Sequence, residues 1–131
     1  MSDRSTPPPD PRGRLVRSFG HAFRGLAALL RTQVNARIHA AATVLVVVAG
    51  FTLRISPGEW CAILAAVGLV WLGEGLNTAI ETLTDLASPG QHPLAGRAKD
   101  LAAGAVLCAA LTALVIGAVV FLPRLAELVA R

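Results

Sequence analysis

The 131 residues read as an all-α membrane protein, an N-terminal amphipathic surface helix followed by three transmembrane helices. Three observations lead there. Hydrophobic residues make up 54% of the chain and charged ones 15%, against about 45–50% and about 25% in a soluble domain. Residues 101–122 carry no charge at all, a run longer than the roughly 20 residues that span a bilayer. Residues 14–32 place their arginines and their large apolar side chains on opposite sides of a helix. Mean hydropathy is +0.61. Such a chain is not disordered, collagenous, a disulfide scaffold or an ordinary cytosolic enzyme.

The net charge of +4 sets 12 basic residues against eight acidic ones. Seven arginines precede residue 38, so the excess belongs to one end of the chain and no nucleic-acid partner is expected. Cys61 and Cys108 each sit alone in an apolar run, without CxxC spacing, and read as packing residues.

Residues 1–13, rich in proline and without periodicity, predict a disordered tail, and no apolar core of a signal peptide follows them. The membrane domain then occupies 14–131. In the surface helix, 14–32, Arg14, Arg17, His21, Arg24 and Arg31 share an arc of about 100°, opposite Leu15, Phe19, Phe23, Leu26, Leu29 and Leu30. That pattern suits a helix lying in the membrane interface.

The first span covers 36–54, its apolar run bracketed by Arg37 and Arg54. The turn Arg54-Ile-Ser-Pro-Gly-Glu59 carries a helix start: Ser56 can cap, Pro57 suits the first helical position, and Glu59 favours the positive end of the dipole. The second span, 57–86, ends at Ala87-Ser-Pro-Gly-Gln-His92, and Pro93 opens the third, 93–122, with Pro123 as the expected stop. Nine Lys and Arg residues lie in the tail and second loop against three in the first loop and C-terminus, which puts the N-terminus in the cytoplasm. Phe51, Trp60 and Phe121 then meet at the outer interface. Gly68, Gly73, Gly75, Ala102, Ala103 and Gly104 would let helices approach closely.

The acids are the informative residues. With Glu74 at zero, Asn77, Glu81 and Asp85 project at about −60°, −20° and +20° on one face of the second span, with Thr78 at its edge. A carboxylate within a bilayer costs about 2.5–3.5 kcal/mol even on lenient scales, so it faces protein, water or a ligand. Glu74 lies about 22 Å beyond Glu59 along the helix, and Glu81 about 10 Å further. The face thus starts in the acyl region and ends near water. Such carboxylates can bind a divalent cation through oxygen or act as a base. Lys99, the only lysine, and Arg97 open the third span and could hold a phosphate chain, although they also read as membrane-surface anchors. No Walker loop or dinucleotide fingerprint is present.

The element Glu74-Gly-Leu-Asn77-Thr-Ala-Ile-Glu81-Thr-Leu-Thr-Asp85, followed by His92-Pro-Leu-Ala-Gly-Arg-Ala-Lys99-Asp100, resembles the prokaryotic integral-membrane diacylglycerol kinases and their undecaprenol kinase relatives, over residues 14–122. The resemblance implies magnesium- and ATP-dependent phosphoryl transfer to a lipid hydroxyl by a homotrimer in the inner membrane. It implies Glu74 as general base, Glu81 as metal ligand, and Asn77 and Asp85 as polar support. It further implies nucleotide contacts from Asn77, Glu81, Lys99, Asp100 and Gly90-Gln91-His92, and places Arg14 near both substrates. His21 stands where part of the family has an aromatic residue near the nucleotide. Gln33 stands where the family usually has a second metal-binding glutamate, and an amide offers a carbonyl oxygen without charge. Diacylglycerol and undecaprenol both remain open as acceptor, the motif Asn77-Thr-Ala-Ile-Glu81 leaning toward the second. A non-enzymatic membrane protein on the same fold is the alternative, supported by Gln33.

Overall fold

The computed structural model describes residues 11–130. Four helices run in order: α1 (Pro11–Thr32), α2 (Val34–Thr52), α3 (Pro57–Ala87) and α4 (Pro93–Val129). No strand is present among the described residues. The tail expected over 1–13 falls outside the described residues up to residue 10. Its last three residues instead join α1, which opens on Pro11, where the missing N–H costs no helical bond.

The described chain divides at Gln33 into two units, α1 and the three long helices. In α1, Leu15, Phe19, Phe23, Leu26 and Leu30 are all exposed. Their spacing draws one apolar stripe, the pattern of a helix that meets a membrane interface. On its polar side the Arg24 guanidinium donates to His21 Nδ1 at 2.9 Å.

In the second unit α2, α3 and α4 are each long and apolar enough to cross a membrane. The turn between α2 and α3 is built from local signals. Arg54 takes a left-handed φ of 51°, and the amides of Arg54 and Ile55 return to the carbonyls of Phe51 and Gly50 at 3.3 and 3.1 Å. This is a Schellman stop that satisfies two end carbonyls of α2. Helix α3 then starts with a capping box, Glu59 N–H donating to Ser56 Oγ and Ser56 N–H to Glu59 Oε2 at 2.6 Å, with Pro57 in the first turn.

Around this turn Ile55, Ile63 and Val120 form a buried cluster, with Trp60 and Phe121 packed on it. The Phe51 and Trp60 ring centroids are 4.9 Å apart. Gly50 is required here, since a Cβ would lie 2.7 Å from the Trp60 ring. The expected gathering of aromatic side chains is therefore present, on a core that includes α4.

Helix α4 does not stop at Pro123 but continues to Val129. A proline removes one helical hydrogen bond and ordinarily ends or kinks a helix. Here the next residue supplies a tertiary anchor: Arg124 donates to Glu59 Oε2 at 2.8 Å, tying the end of α4 to the start of α3.

Helix α3 packs chiefly on α4, and α2 rests on α3. Ile63, Ala66, Val70, Glu74 and Asn77 form the buried stripe of α3, facing Ala102, Val106 and Val120 of α4. A Cβ added at Gly73 would lie 3.7 Å from the Val106 backbone, whereas Gly68, Gly75 and Gly104 meet nothing within 4 Å. Of the small residues expected to admit a neighbouring helix, Gly73 and Ala102 lie at the α3–α4 contact. Helix α2 is keyed to α3 by the Trp71 indole N–H, which donates to Thr43 Oγ at 3.1 Å; that hydroxyl donates in turn to the His39 carbonyl at 2.7 Å.

Candidate functional site

The buried stripe of α3 changes character at Glu74. Above it the residues are Ile63, Ala66 and Val70; below it, at the same helical spacing, come Glu74, Asn77, Glu81 and Asp85. Glu74 is 1% exposed and Asn77 8%, Glu81 is half-buried, and Asp85 is exposed. The face expected to run from apolar surroundings to water does so in its burial. Asn77 Nδ2 donates to Glu81 Oε1 at 3.1 Å, which orients the amide. Among the described residues three buried side-chain atoms have no hydrogen-bond partner, and all are here: Glu74 Oε2, Asn77 Oδ1 and Thr78 Oγ. Buried polar groups in folded proteins are almost always paired, so such a group calls for an explanation. Three within two helical turns make this stretch of α3 the candidate site.

The far end of this face opens into a pocket of about 610 Å³ in the turn between α3 and α4, whose lining includes Asp85, Gly90, Gln91, His92 and Lys99. Lys99 Nζ donates to Asp85 Oδ1 at 2.5 Å within it. His92 caps α4, its Nδ1 accepting from the Leu94 N–H at 3.2 Å, so only Nε2 is left for a ligand. The structure thus brings together Gly90, Gln91, His92 and Lys99, four residues that the resemblance assigns to the nucleotide, and adds Asp85. It does not bring in Arg97 or Asp100, which are exposed and line no part of this pocket. Thr84, Ser88 and Gly96 also line it and were not picked out from the sequence. Thr84 and Ser88 continue the spacing of Glu81, and that periodicity was the available signal.

Gln33 occupies the N-cap position of α2 in an extended conformation, without a side-chain cap bond. Arg14 and His21 belong to α1, in the other unit. The donors beside Glu81 are oxygens only, its own carboxylate and the Asn77 amide oxygen, a hard set that suits magnesium rather than zinc or copper. Among the described residues no three His, Cys, Asp or Glu side chains converge as a self-sufficient metal cage. Magnesium fits such a site, because it is commonly held by one or two carboxylates together with substrate phosphates.

A bundle of helices apolar enough to cross a membrane, in which a buried carboxylate leads to a pocket holding an ammonium–carboxylate pair, has the build of a membrane protein with a polar site at its end. A family model described as prokaryotic diacylglycerol kinase matches residues 20–121. An undecaprenol kinase of Bacillus subtilis (strain 168) is 45% identical over 112 residues, 86% of this chain and 91% of its own length. A diacylglycerol kinase of Synechocystis sp. is 39% identical over 115 residues, 87% of this chain and 66% of its own. The diacylglycerol kinase of Escherichia coli (strain K12) is 32% identical over 102 residues, 78% and 84% of the two chains. The chain belongs to the prokaryotic diacylglycerol kinase family. It is a membrane lipid kinase, with lipid and nucleotide as its substrate classes, and the non-enzymatic alternative is not favoured.

Proposed function

We propose that the chain transfers the γ-phosphate of ATP to the hydroxyl of a polyisoprenoid alcohol, undecaprenol, in preference to diacylglycerol. The observation that carries the site assignment is the unbroken face from buried Glu74 to the Asp85–Lys99 pocket. A lipid hydroxyl can reach one end of that face and a water-soluble triphosphate the other. The acceptor assignment is supported by the higher identity to an undecaprenol kinase than to the diacylglycerol kinases. An apolar groove of about 500 Å³ between α2, α3 and α4 includes Val67 and Val70, beginning one turn from Glu74. A single long chain would lie there with its hydroxyl at Glu74.

In this reading Glu74 takes the proton of the acceptor hydroxyl as its oxygen attacks the terminal phosphorus, and ADP leaves with the bridging oxygen. Lys99 exchanges Asp85 for phosphate oxygens, with Gly90, Gln91 and His92 around the nucleotide. Glu81 and Asn77 would hold magnesium, and Gln33 would add at most a carbonyl oxygen. Magnesium, when bound, supplies neutralisation of the phosphate charge. The family resemblance assigns Arg14 to both substrates and His21 to the nucleotide, by stacking or hydrogen bonding, and these roles are part of the proposal. The working form is a homotrimer in the inner membrane with its N-terminus in the cytoplasm, an orientation supported by the bias of Lys and Arg.

The test is phosphorylation by purified protein of undecaprenol and of dioleoylglycerol, each with labelled ATP and magnesium. Faster turnover of undecaprenol is expected. Preference for dioleoylglycerol would overturn the acceptor assignment, and label in neither lipid would overturn the activity.

A further inference from the structure

Seven threonines lie in the described helices, and six of them bond their hydroxyl back to the carbonyl four residues earlier. Thr32, Thr43, Thr52, Thr82, Thr84 and Thr112 donate to Ala28, His39, Val48, Thr78, Ile80 and Cys108 at 2.6–3.0 Å. This is the default of a helical threonine, whose hydroxyl has few other partners. Thr78 breaks the pattern. Its Oγ is buried and has no hydrogen-bond partner, although the Glu74 carbonyl stands at the position that every other helical threonine uses.

A hydroxyl turned away from its own backbone inside an apolar bundle is unfavourable unless a ligand receives it. The neighbouring unpartnered atoms narrow the place such a ligand would take. Thr78 follows Glu74 by four residues, so the two side chains are neighbours on the helix surface, about 5–6 Å apart at Cβ. Glu74 Oε2 and Thr78 Oγ are both buried and unpaired. One oxygen atom between them could bond to both.

We propose that Thr78 contacts the acceptor alcohol, donating its O–H to a lone pair of the alcohol oxygen while the alcohol donates its own proton to Glu74. The second lone pair of that oxygen is then directed at the incoming phosphorus. No bond is made or broken at Thr78; it fixes the orientation of the nucleophile. The inference rests on the lipid kinase reading above.

The experiment compares wild type, Thr78→Val and Thr78→Ser in mixed micelles with undecaprenol or dioleoylglycerol. Thr78→Val keeps the shape and removes the hydroxyl. The expected result is a KM for the lipid raised about three- to ten-fold, the worth of one neutral hydrogen bond, with the KM for ATP unchanged. The Kd for the lipid measured without nucleotide rises by the same factor, and Thr78→Ser restores both. Thermal stability of Thr78→Val is equal to or above wild type, because a buried unpaired hydroxyl has gone. A merely structural threonine would give lower stability with an unchanged lipid KM, and that result overturns the proposal. Thr78→Val matching active wild type in lipid KM and Kd overturns it alone. Wild-type protein that neither phosphorylates nor binds either lipid overturns the parent reading together with this one.

Discussion

Lys99 Nζ donates to Asp85 Oδ1 at 2.5 Å, joining the first turns of α4 to the last turn of α3 across the pocket. The side chains are 37% and 68% exposed, so water screens the pair and it adds at most about 1 kcal/mol to stability. In the proposed function its importance lies in exchange. The aspartate holds the ammonium in the pocket, and a triphosphate can take it over with more negative charge.

Replacing Lys99 with alanine therefore separates binding from folding. A hydrogen bond to a charged group contributes about 1.5–3 kcal/mol, so Lys99→Ala is expected to raise the KM for ATP by at least about ten-fold. Thermal stability should move by less than about 1 kcal/mol. Initial rates against ATP concentration, together with melting in the same detergent, check both parts. An unchanged KM for ATP would remove Lys99 from the nucleotide site.

Glu74 is the opposite kind of residue, nearly sealed from solvent and with one carboxylate oxygen unpaired. Glu74→Gln preserves its shape and removes the base. Loss of a positioned general base lowers rates by about 10²–10⁴-fold, so kcat should fall by that factor while the lipid still binds. Wild-type turnover from this variant would show that the proton leaves by another route.

Local chemistry was the legible part of this molecule. The Ser56 cap, the Pro93 start of α4 and the shared face of Glu74, Asn77, Glu81 and Asp85 all follow from residues within a few turns of one another, while the reciprocal bond from Ser56 N–H to Glu59 emerged only in the structure. What escaped the sequence needs two distant segments. Arg124 meets Glu59 across 65 positions, and that anchor accompanies the continuation of α4 through Pro123, where the local signal said stop. Trp71 meets Thr43 across 28. Thr78 was visible only as an edge residue, because its unpaired state is a matter of rotamer and burial. Asp100 carries the right charge at the right distance in sequence, but it follows Lys99 by one residue and so points about 100° away from it.

Arg54 provides a stability test remote from that chemistry. It holds φ at 51° in the Schellman turn after α2, a position glycine fills without steric cost. A side chain there costs about 1–2 kcal/mol. Arg54→Gly is expected to recover most of this against the extra freedom glycine has when unfolded, giving a net gain of up to about 1 kcal/mol. Kinase rates should be unchanged, because the turn lies at the opposite end of α3 from the pocket. A lower melting temperature would show that the guanidinium makes a contact worth more than the strain.

Gly50 lies four residues earlier and calls for the opposite substitution result. An added Cβ would come within 2.7 and 2.8 Å of two Trp60 ring atoms and 3.2 Å of Ile55 Cδ1. The indole is rigid and already packed against Phe51 and the Ile55–Ile63–Val120 cluster, so it cannot yield by a simple rotation. Alanine ordinarily stabilises a helix by about 1 kcal/mol relative to glycine, yet overpacking of a filled core costs about 1–3 kcal/mol. The second effect wins, and Gly50→Ala should melt below wild type, with Trp60 fluorescence reporting the displaced ring. Because Glu59 and Arg124 clasp the same end of the bundle, the loosening should stay there and leave the KM for ATP unchanged. Equal melting of the two proteins would mean that the ring has room to move and that this end is packed less tightly than its distances imply.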